Sequence, residues 1–161
     1  MVVGLRMLSE GAGDAFISAG STGALLTGAT LIVKRVKGIR RAAMGPAMPN
    51  KAGGKTVLLD CGANAECTPE FLLQFGIVGS LHAKKNLGIL NFVGNIEGRD
   101  TLLGEVDVVV CDGFSGNVLL KSIEGTAYFM GSLMKHKIFK RNILSMIGYL
   151  FCKKGVDEVM G

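Results

Sequence analysis

Apolar positions along the chain repeat with two periods, and the switches between them mark its elements. Residues 2–10 read as the end of a helix stopped at Gly11, and Asp14 to Ser18 reads as a short strand running into a turn at Ala19–Gly23. Ala24 to Val36 is apolar on most sides, as a helix packed on a sheet would be. Lys34, Arg35 and Lys37, with Gly38 behind them, suit a helix C-terminus. After an irregular stretch holding Pro46, Pro49, Gly53 and Gly54, the unbroken apolar run within Lys55–Asp60 predicts a buried strand. Thr68-Pro69-Glu70 supplies a capping hydroxyl, a proline for the first helical position and an acid for the first turn, opening a helix that runs to about Asn86 and stops at Gly88. Asn91–Asn95 is a short strand pattern, and Asp107–Cys111 is the best strand pattern in the chain. A long helix follows from about Val118. Lys135–Arg141 then forms a basic break before a last amphipathic helix, Asn142–Cys152.

Strands alternating with long helices predict right-handed β-α-β units and a mainly parallel sheet in one α/β domain over residues 1–161. Ligands of such sheets bind beyond the carboxyl ends of the strands. Four glycine-rich turns fall at predicted strand ends: Ser18–Gly23, Asp60–Asn64, Gly94–Asp100 and Asp112–Asn117. Exposed amides at helix starts make a cradle for an anion. The candidate phosphate-binding residues are Ser18, Gly20, Ser21, Thr22, Gly23, Asp60, Gly62, Asn64, Asp112, Gly113, Gly116 and Asn117. Asn95, Arg99 and Lys121 are the candidate catalytic residues, able to donate to phosphate or to a developing oxyanion. Asp60 and Asp112 read equally well as anchors of their own turns. A single glycine turn would mean little, because reversing the chain already needs one.

Composition sharpens this picture in a few places. Glycine, at 24 of 161 residues, is about twice its usual share of roughly 7%. The net charge of +5 favours an anionic partner. Nucleic acid is not expected, because no long basic tract is interleaved with stacking rings. Cys61, Cys67, Cys111 and Cys152 form no C-x-x-C pair and only two histidines are present, so neither a zinc site nor any other metal is expected. The opening Met1-Val-Val-Gly-Leu lacks a basic leader, and the apolar runs are short of the roughly 20 residues a spanning helix needs. A cytoplasmic protein with reduced thiols is the expectation.

Other chemistries fit less well. Neither a Walker A sequence nor a complete G-x-G-x-x-G occurs, so a nucleotide is not the first choice. No G-x-S-x-G elbow is present. His82 and His136 sit beside lysines in helical patterns and read as solvated. Cys61 and Cys111 end apolar runs where a buried thiol packs well, with nothing nearby to activate them as acyl carriers.

Ser18-Ala-Gly-Ser-Thr-Gly-Ala-Leu25, Leu58-Leu-Asp-Cys-Gly-Ala-Asn64, Asn91-Phe-Val-Gly-Asn-Ile-Glu-Gly-Arg-Asp100 and Asp107-Val-Val-Val-Cys-Asp-Gly-Phe-Ser-Gly-Asn-Val-Leu-Leu-Lys121 resemble, in order, the signatures of the bacterial PlsX family of phosphate acyltransferases. The resemblance covers Val2 to about Lys154. It implies a Rossmann-like three-layer α/β/α fold of the isopropylmalate dehydrogenase kind, a homodimer, and no cofactor. The implied reaction moves a fatty acyl group from acyl carrier protein to inorganic phosphate, and the acyl phosphate supplies glycerol-3-phosphate acyltransferase in phospholipid synthesis. Family members are about twice as long, begin with a further β-α half, and carry an additional segment where Ile89-Leu90 stand here. The chain is therefore read as an incomplete part of a longer PlsX-like protein.

Two further surfaces follow from the residues. Ile143, Leu144, Met146, Ile147, Leu150 and Phe151 form an apolar face flanked by Lys140, Arg141, Lys153 and Lys154 within a protruding amphipathic helix, 140–154. It reads as a core or dimer helix, or as an anchor on an anionic membrane surface, the latter agreeing with the peripheral membrane attachment that the resemblance implies. Lys34, Arg35, Lys37, Arg40 and Arg41 are the densest basic cluster, either a solvated helix end or a steering patch for an acidic carrier. Competing functional readings are a phosphotransacetylase-like enzyme using acyl-coenzyme A, a metal- and NAD-dependent dehydrogenase, for which no acidic ligand set is found, and an inactive membrane-peripheral binding module.

Overall fold

The structure, a computed structural model, describes residues 1–84 and 91–160. The predicted helix end at Asn86, the stop at Gly88 and the Ile89-Leu90 junction lie outside the described residues. The chain divides into two compact units, Met1–Val118 and Leu119–Gly161.

In the first unit, α1 (Val2–Ser9) and α2 (Thr22–Gly28) pack on a π-helical turn, Ala29–Val33, that continues α2. Leu5 is buried there, and a Cβ on Gly28 would stand 2.6 Å from its Cδ1, so glycine lets the two helices meet. Asp14–Ser18 forms no strand. Phe16 lies against Gly4 of α1 instead, and Ile17 is exposed. An extended segment without a partner strand leaves its amides to water, and here side-chain packing on a helix decided the conformation.

The sheet has three strands in the order β1 (Ala47–Pro49), β2 (Lys55–Leu59), β3 (Val108–Val110). It is mixed rather than mainly parallel: β1 runs antiparallel to β2, and β2 runs parallel to β3. β1 comes from the proline-bearing stretch read as irregular. Its two prolines bracket one short run at the edge of the sheet, where a missing amide is tolerated. β2 is central, with Thr56, Val57, Leu58 and Leu59 all buried, as its unbroken apolar run requires.

Thr68 caps α3 (Pro69–Lys84) by accepting from the Phe71 amide at 3.4 Å, as its sequence predicts. Phe75, 1% exposed, joins Val57 and Leu59 in the core, with Phe71, Leu72, Val108 and Val110 packed around them. Gly79 lets α3 close on the sheet, since a Cβ there would stand 2.6 Å from Val108 Cγ1 and 2.7 Å from Leu59 Cδ1. Asn91–Asn95 is not a strand, and Phe92 and Val93 are exposed. α4 (Gly113–Leu133) begins at Gly113, earlier than the Val118 expected from apolar periodicity, because Asp112 caps it.

The second unit holds most of α4, a π-helical turn over Met134–Phe139 and α5 (Ile143–Met160). Asn142 starts α5 by accepting the Ser145 amide at 2.8 Å. Phe139 and Tyr149 meet with ring centroids 4.8 Å apart. No helix among the described residues is long and apolar enough to cross a membrane.

Candidate functional site

β2 and β3 end side by side, and each runs directly into a glycine turn. The strand ladder continues one step past the strands, Asp60 N donating to Cys111 O at 3.0 Å, which sets the two turns against each other. Asp60 is 0% exposed. Its Oδ1 accepts from Met44 N at 2.9 Å and Ala63 N at 3.1 Å, and its Oδ2 from Asn64 N at 2.7 Å and Asn64 Nδ2 at 2.8 Å. A buried carboxylate is tolerated only when so satisfied. Four donors make it the hub of its own turn.

The second turn closes over the first. Gly113 N donates to Asn64 O at 2.7 Å, and a Cβ on Gly113 would stand 2.6 Å from that oxygen. At Gly116 a Cβ would overlap the Asp60 carbonyl and stand 2.9 Å from Cys111 Sγ. Gly62, with φ +118°, occupies a left-handed conformation open to glycine, and a Cβ there would stand 3.8 Å from the Asn117 side chain. Asp112 accepts the Ser115 amide at 2.8 Å on Oδ1 and the Ser115 hydroxyl at 2.9 Å on Oδ2. The Ser115 amide, foremost, holds the Asp112 carboxyl below the usual carboxylate range. The start of α4 is thus satisfied internally: its Gly113, Ser115 and Gly116 amides go to Asn64 O, Asp112 Oδ1 and Asp112 O.

The thiols beneath these turns are inert. Burial, then the neighbouring Cys111 and Asp60, pushes Cys61 up to about 12. Burial, then Asp112 and Asp60, pushes Cys111 up to about 11. At neutral pH both stay protonated and are poor nucleophiles.

The Ser18–Gly23 turn is built differently. Ser18 Oγ accepts from Gly20 N at 3.1 Å and Ser21 Oγ from Ala24 N at 3.5 Å, so its hydrogen bonds are local. Thr22 and Gly23 form the first turn of α2, whose amides have no intrahelical carbonyl, and both residues are exposed. The structure therefore joins two of the four turns into one body, and the described interactions of this one stay within its own neighbourhood.

Asn95 is exposed. Arg99, on a short 3₁₀ turn (Gly98–Asp100), pairs with Glu97 at 3.3 Å and Asp100 at 3.6 Å. The chain beyond it is fixed at the amino ends of β2 and β3, through Lys51 N to Leu102 O at 2.8 Å and Thr56 Oγ1 to Val106 O at 3.1 Å. No described interaction brings Asn95 or Arg99 to the paired turns. Lys121 belongs to the second unit, where its Nζ pairs with Glu124 Oε2 at 2.6 Å. Ile143, Leu144, Ile147, Leu150 and Phe151 on α5 are all exposed, from 47% at Ile147 to 86% at Phe151.

Sequence reasoning missed one component. The segment 42–44 crosses the first turn, with Ala42 O accepting from Asn64 Nδ2 at 2.8 Å and Met44 N donating to Asp60. Both contacts use backbone atoms, so residue type carried no signal for them.

Comparison with known proteins bears on this geometry. The sequence model of the family described as fatty acid synthesis protein matches residues 1–91 and 84–160. Proteins named phosphate acyltransferase are similar at 41% identity over 192 residues in Thermoanaerobacterium thermosaccharolyticum, 44% over 191 in Thermotoga petrophila and 39% over 191 in Clostridioides difficile. Each match covers 99% of this chain, which spans 56–57% of the length of these curated relatives. The aligned lengths exceed the chain's 161 residues, so the relatives carry residues inside the match that are not present here.

Proposed function

The chain belongs to the PlsX family of fatty acid synthesis proteins, and on that premise we propose that it serves in transferring a fatty acyl group from acyl carrier protein to inorganic phosphate, yielding acyl phosphate. The observation that carries this reading is the exposed start of α2 in the Ser18–Gly23 turn, whose first amides have no intrahelical carbonyl, in a chain whose strands β2 and β3 end in a closed pair of glycine turns, the position at which α/β sheets receive ligands. The reading includes a Rossmann-like α/β/α fold for the whole protein, a homodimer and transfer of the product to glycerol-3-phosphate acyltransferase.

Phosphate is an oxygen nucleophile at neutral pH and a thioester is an activated donor. The site then needs positioning and charge stabilisation rather than a nucleophilic side chain. The raised thiols of Cys61 and Cys111 support a route with no cysteine acyl intermediate. In the proposed scheme the Ser18–Gly23 turn offers its open amides to phosphate, and the Asp112–Asn117 turn offers the side chain of Asn117. Asn95, Arg99 and Lys121 neutralise the phosphate or the oxyanion. Arg99 and Lys121 would exchange surface carboxylates for substrate, and exposed pairs of this kind are worth only about 0–1 kcal/mol. The exposed apolar face of α5, with Lys153 and Lys154 behind it, supports peripheral attachment to an anionic membrane at the cytoplasmic side.

The test is incubation with acyl-carrier-protein thioester and phosphate, trapping acyl phosphate with hydroxylamine. Phosphate-dependent hydroxamate is expected, and its absence with an active donor would overturn the reading. Lys121→Ala is expected to raise the phosphate KM or lower the rate; no change in either would remove Lys121. Ile147→Glu is expected to abolish sedimentation with phosphatidylglycerol liposomes, whereas equal sedimentation would discard the anchor.

A further inference from the structure

Arg40 and Arg41 are neighbours in sequence with different surroundings. The Arg40 guanidinium is occupied by Glu70 at 2.8 Å, and its amide donates to Gln74 Oε1 at 2.9 Å, which pins this stretch to α3. Arg41 is exposed and makes no ion pair among the described residues. Its Cζ lies 5.6 Å from the centroid of the Phe71 ring, in the first turn of α3. A ring face holds a guanidinium in place without neutralising it or using its fork of N–H donors. The residues that follow cross the site: Ala42 O accepts from Asn64 Nδ2 at 2.8 Å, and Met44 N donates to Asp60 Oδ1 at 2.9 Å. The Arg41 charge thus stands beside the paired turns, on backbone anchored by the residue before it and the residue after it.

Cys67 has the same neighbours. Its Sγ stands 3.8 Å from Asn64 O, the carbonyl that also takes the Gly113 amide at 2.7 Å. Burial, then Asp60, pushes this thiol up; the Gly113 amide opposes them, Asp112 adds to them, and the Arg41 charge opposes them. One side chain therefore feels Arg41 together with both turns. Neither turn needs a cation to hold its carboxylate. Asp60 already has four donors, and Asp112 is held by the amide and hydroxyl of Ser115. Beside the start of α3 a positive charge also meets the positive end of the helix dipole, which disfavours it there. Arg99 and Lys121, by contrast, are held by Glu97, Asp100 and Glu124. Arg41 is the cation beside the paired turns whose donors are open.

We propose that Arg41, which the sequence places only in a basic cluster, is a phosphate-binding residue of the site, its guanidinium donating two N–H groups to two oxygens of the acceptor phosphate. It supplies charge, which the neutral amides and hydroxyls of the Ser18–Gly23 turn do not. The use made of the phosphate rests on the proposed function; its binding at Arg41 does not depend on turnover. A fork already held by a ring and by its neighbouring backbone loses little freedom when the anion arrives.

The experiment is a titration of the chain with inorganic phosphate at fixed ionic strength, followed on the arginine Nε–H signals, alongside turnover of acyl-carrier-protein thioester at varied phosphate. The Arg41 Nε–H signal is expected to shift saturably. Arg41→Gln is expected to weaken phosphate binding and raise the phosphate KM about tenfold, with kcat changed less and the thermal midpoint kept. Arg41→Lys, which keeps the charge without the fork, should fall between wild type and Arg41→Gln. Arg35→Gln, which removes a charge from the same basic stretch, should leave phosphate affinity unchanged. An Arg41 signal that does not move, an unchanged affinity in Arg41→Gln, or an equal loss in Arg35→Gln overturns the assignment. Should Arg41→Gln fail to fold, the wild-type Nε–H shift and the Arg41→Lys affinity decide in its place. If Arg41→Gln weakens phosphate binding while wild type forms no acyl phosphate, the Arg41 site stands and the acyl-transfer reading falls. If turnover proceeds with an unchanged phosphate KM, the reverse holds.

Discussion

The Ser18–Gly23 turn and the paired turns at Asp60 and Asp112 have nearly the same composition, small polar residues among glycines, yet their glycines do different jobs. At Gly113 and Gly116 a side chain would strike Asn64, the Asp60 carbonyl or Cys111, so glycine is there to let one turn close on another. At Gly23 the nearest atom to an added Cβ is Ser21 Oγ, 4.0 Å away, and the backbone stands open. The helix starts differ likewise. α4 spends its first amides on Asn64 and Asp112, while the first turn of α2 leaves exposed amides free of intrahelical carbonyls. A closed pair of turns behaves as scaffold, and an open turn is the better receptor for an anion.

The contrast can be broken in four places. Asp60→Ala should have the largest effect, because four donors in or beside a buried turn lose their acceptor; a loss of roughly 3–5 kcal/mol is expected in urea denaturation. Wild-type stability in this variant would mean that the hub is dispensable. Gly116→Ala should follow. Alanine normally improves a helix by up to about 1 kcal/mol, but the overlap with Asp60 should reverse the sign, for a net loss of about 1–3 kcal/mol.

Asp112→Ala removes a helix cap and should cost about 1 kcal/mol at neutral pH. The Ser115 amide holds the folded-state carboxyl low, so its contribution is complete above the ordinary aspartate value of about 3.9 and is lost as pH falls through the lower folded value. The gap between wild type and variant should begin to narrow in thermal melts below about pH 4 and close only below the lower folded value; a gap that stays constant through that range would mean that the carboxylate's charge is not what the cap uses. Gly23→Ala should be smallest, within about 0.5–1 kcal/mol and toward stability, while weakening phosphate binding. A destabilisation as large as that of Gly116→Ala would erase the distinction between the two kinds of turn.

Much of the scaffold was legible in the sequence. The apolar run of β2 and the Thr68-Pro69-Glu70 start of α3 are local signals that tertiary structure did not override. Asp14–Ser18 and Asn91–Asn95 misled because a strand needs a partner, and partners are not written locally. β1 was hidden by its proline, and the true start of α4 by glycines that read as loop but serve close packing. At the site, four turns looked equivalent. Which two would lock together depended on the parallel register of β2 and β3 and on backbone contacts from Ala42 and Met44, neither of which residue type encodes.

The most direct test is a backbone ¹⁵N–¹H titration of the chain with inorganic phosphate, read residue by residue. Saturable shifts concentrated at Ser21, Thr22 and Gly23, with smaller ones at Asn117 and little change at Ala63 and Asn64, are expected. Shifts absent from the Ser21–Gly23 amides, or scattered over surface lysines alone, would contradict the assignment of that turn as the phosphate receptor.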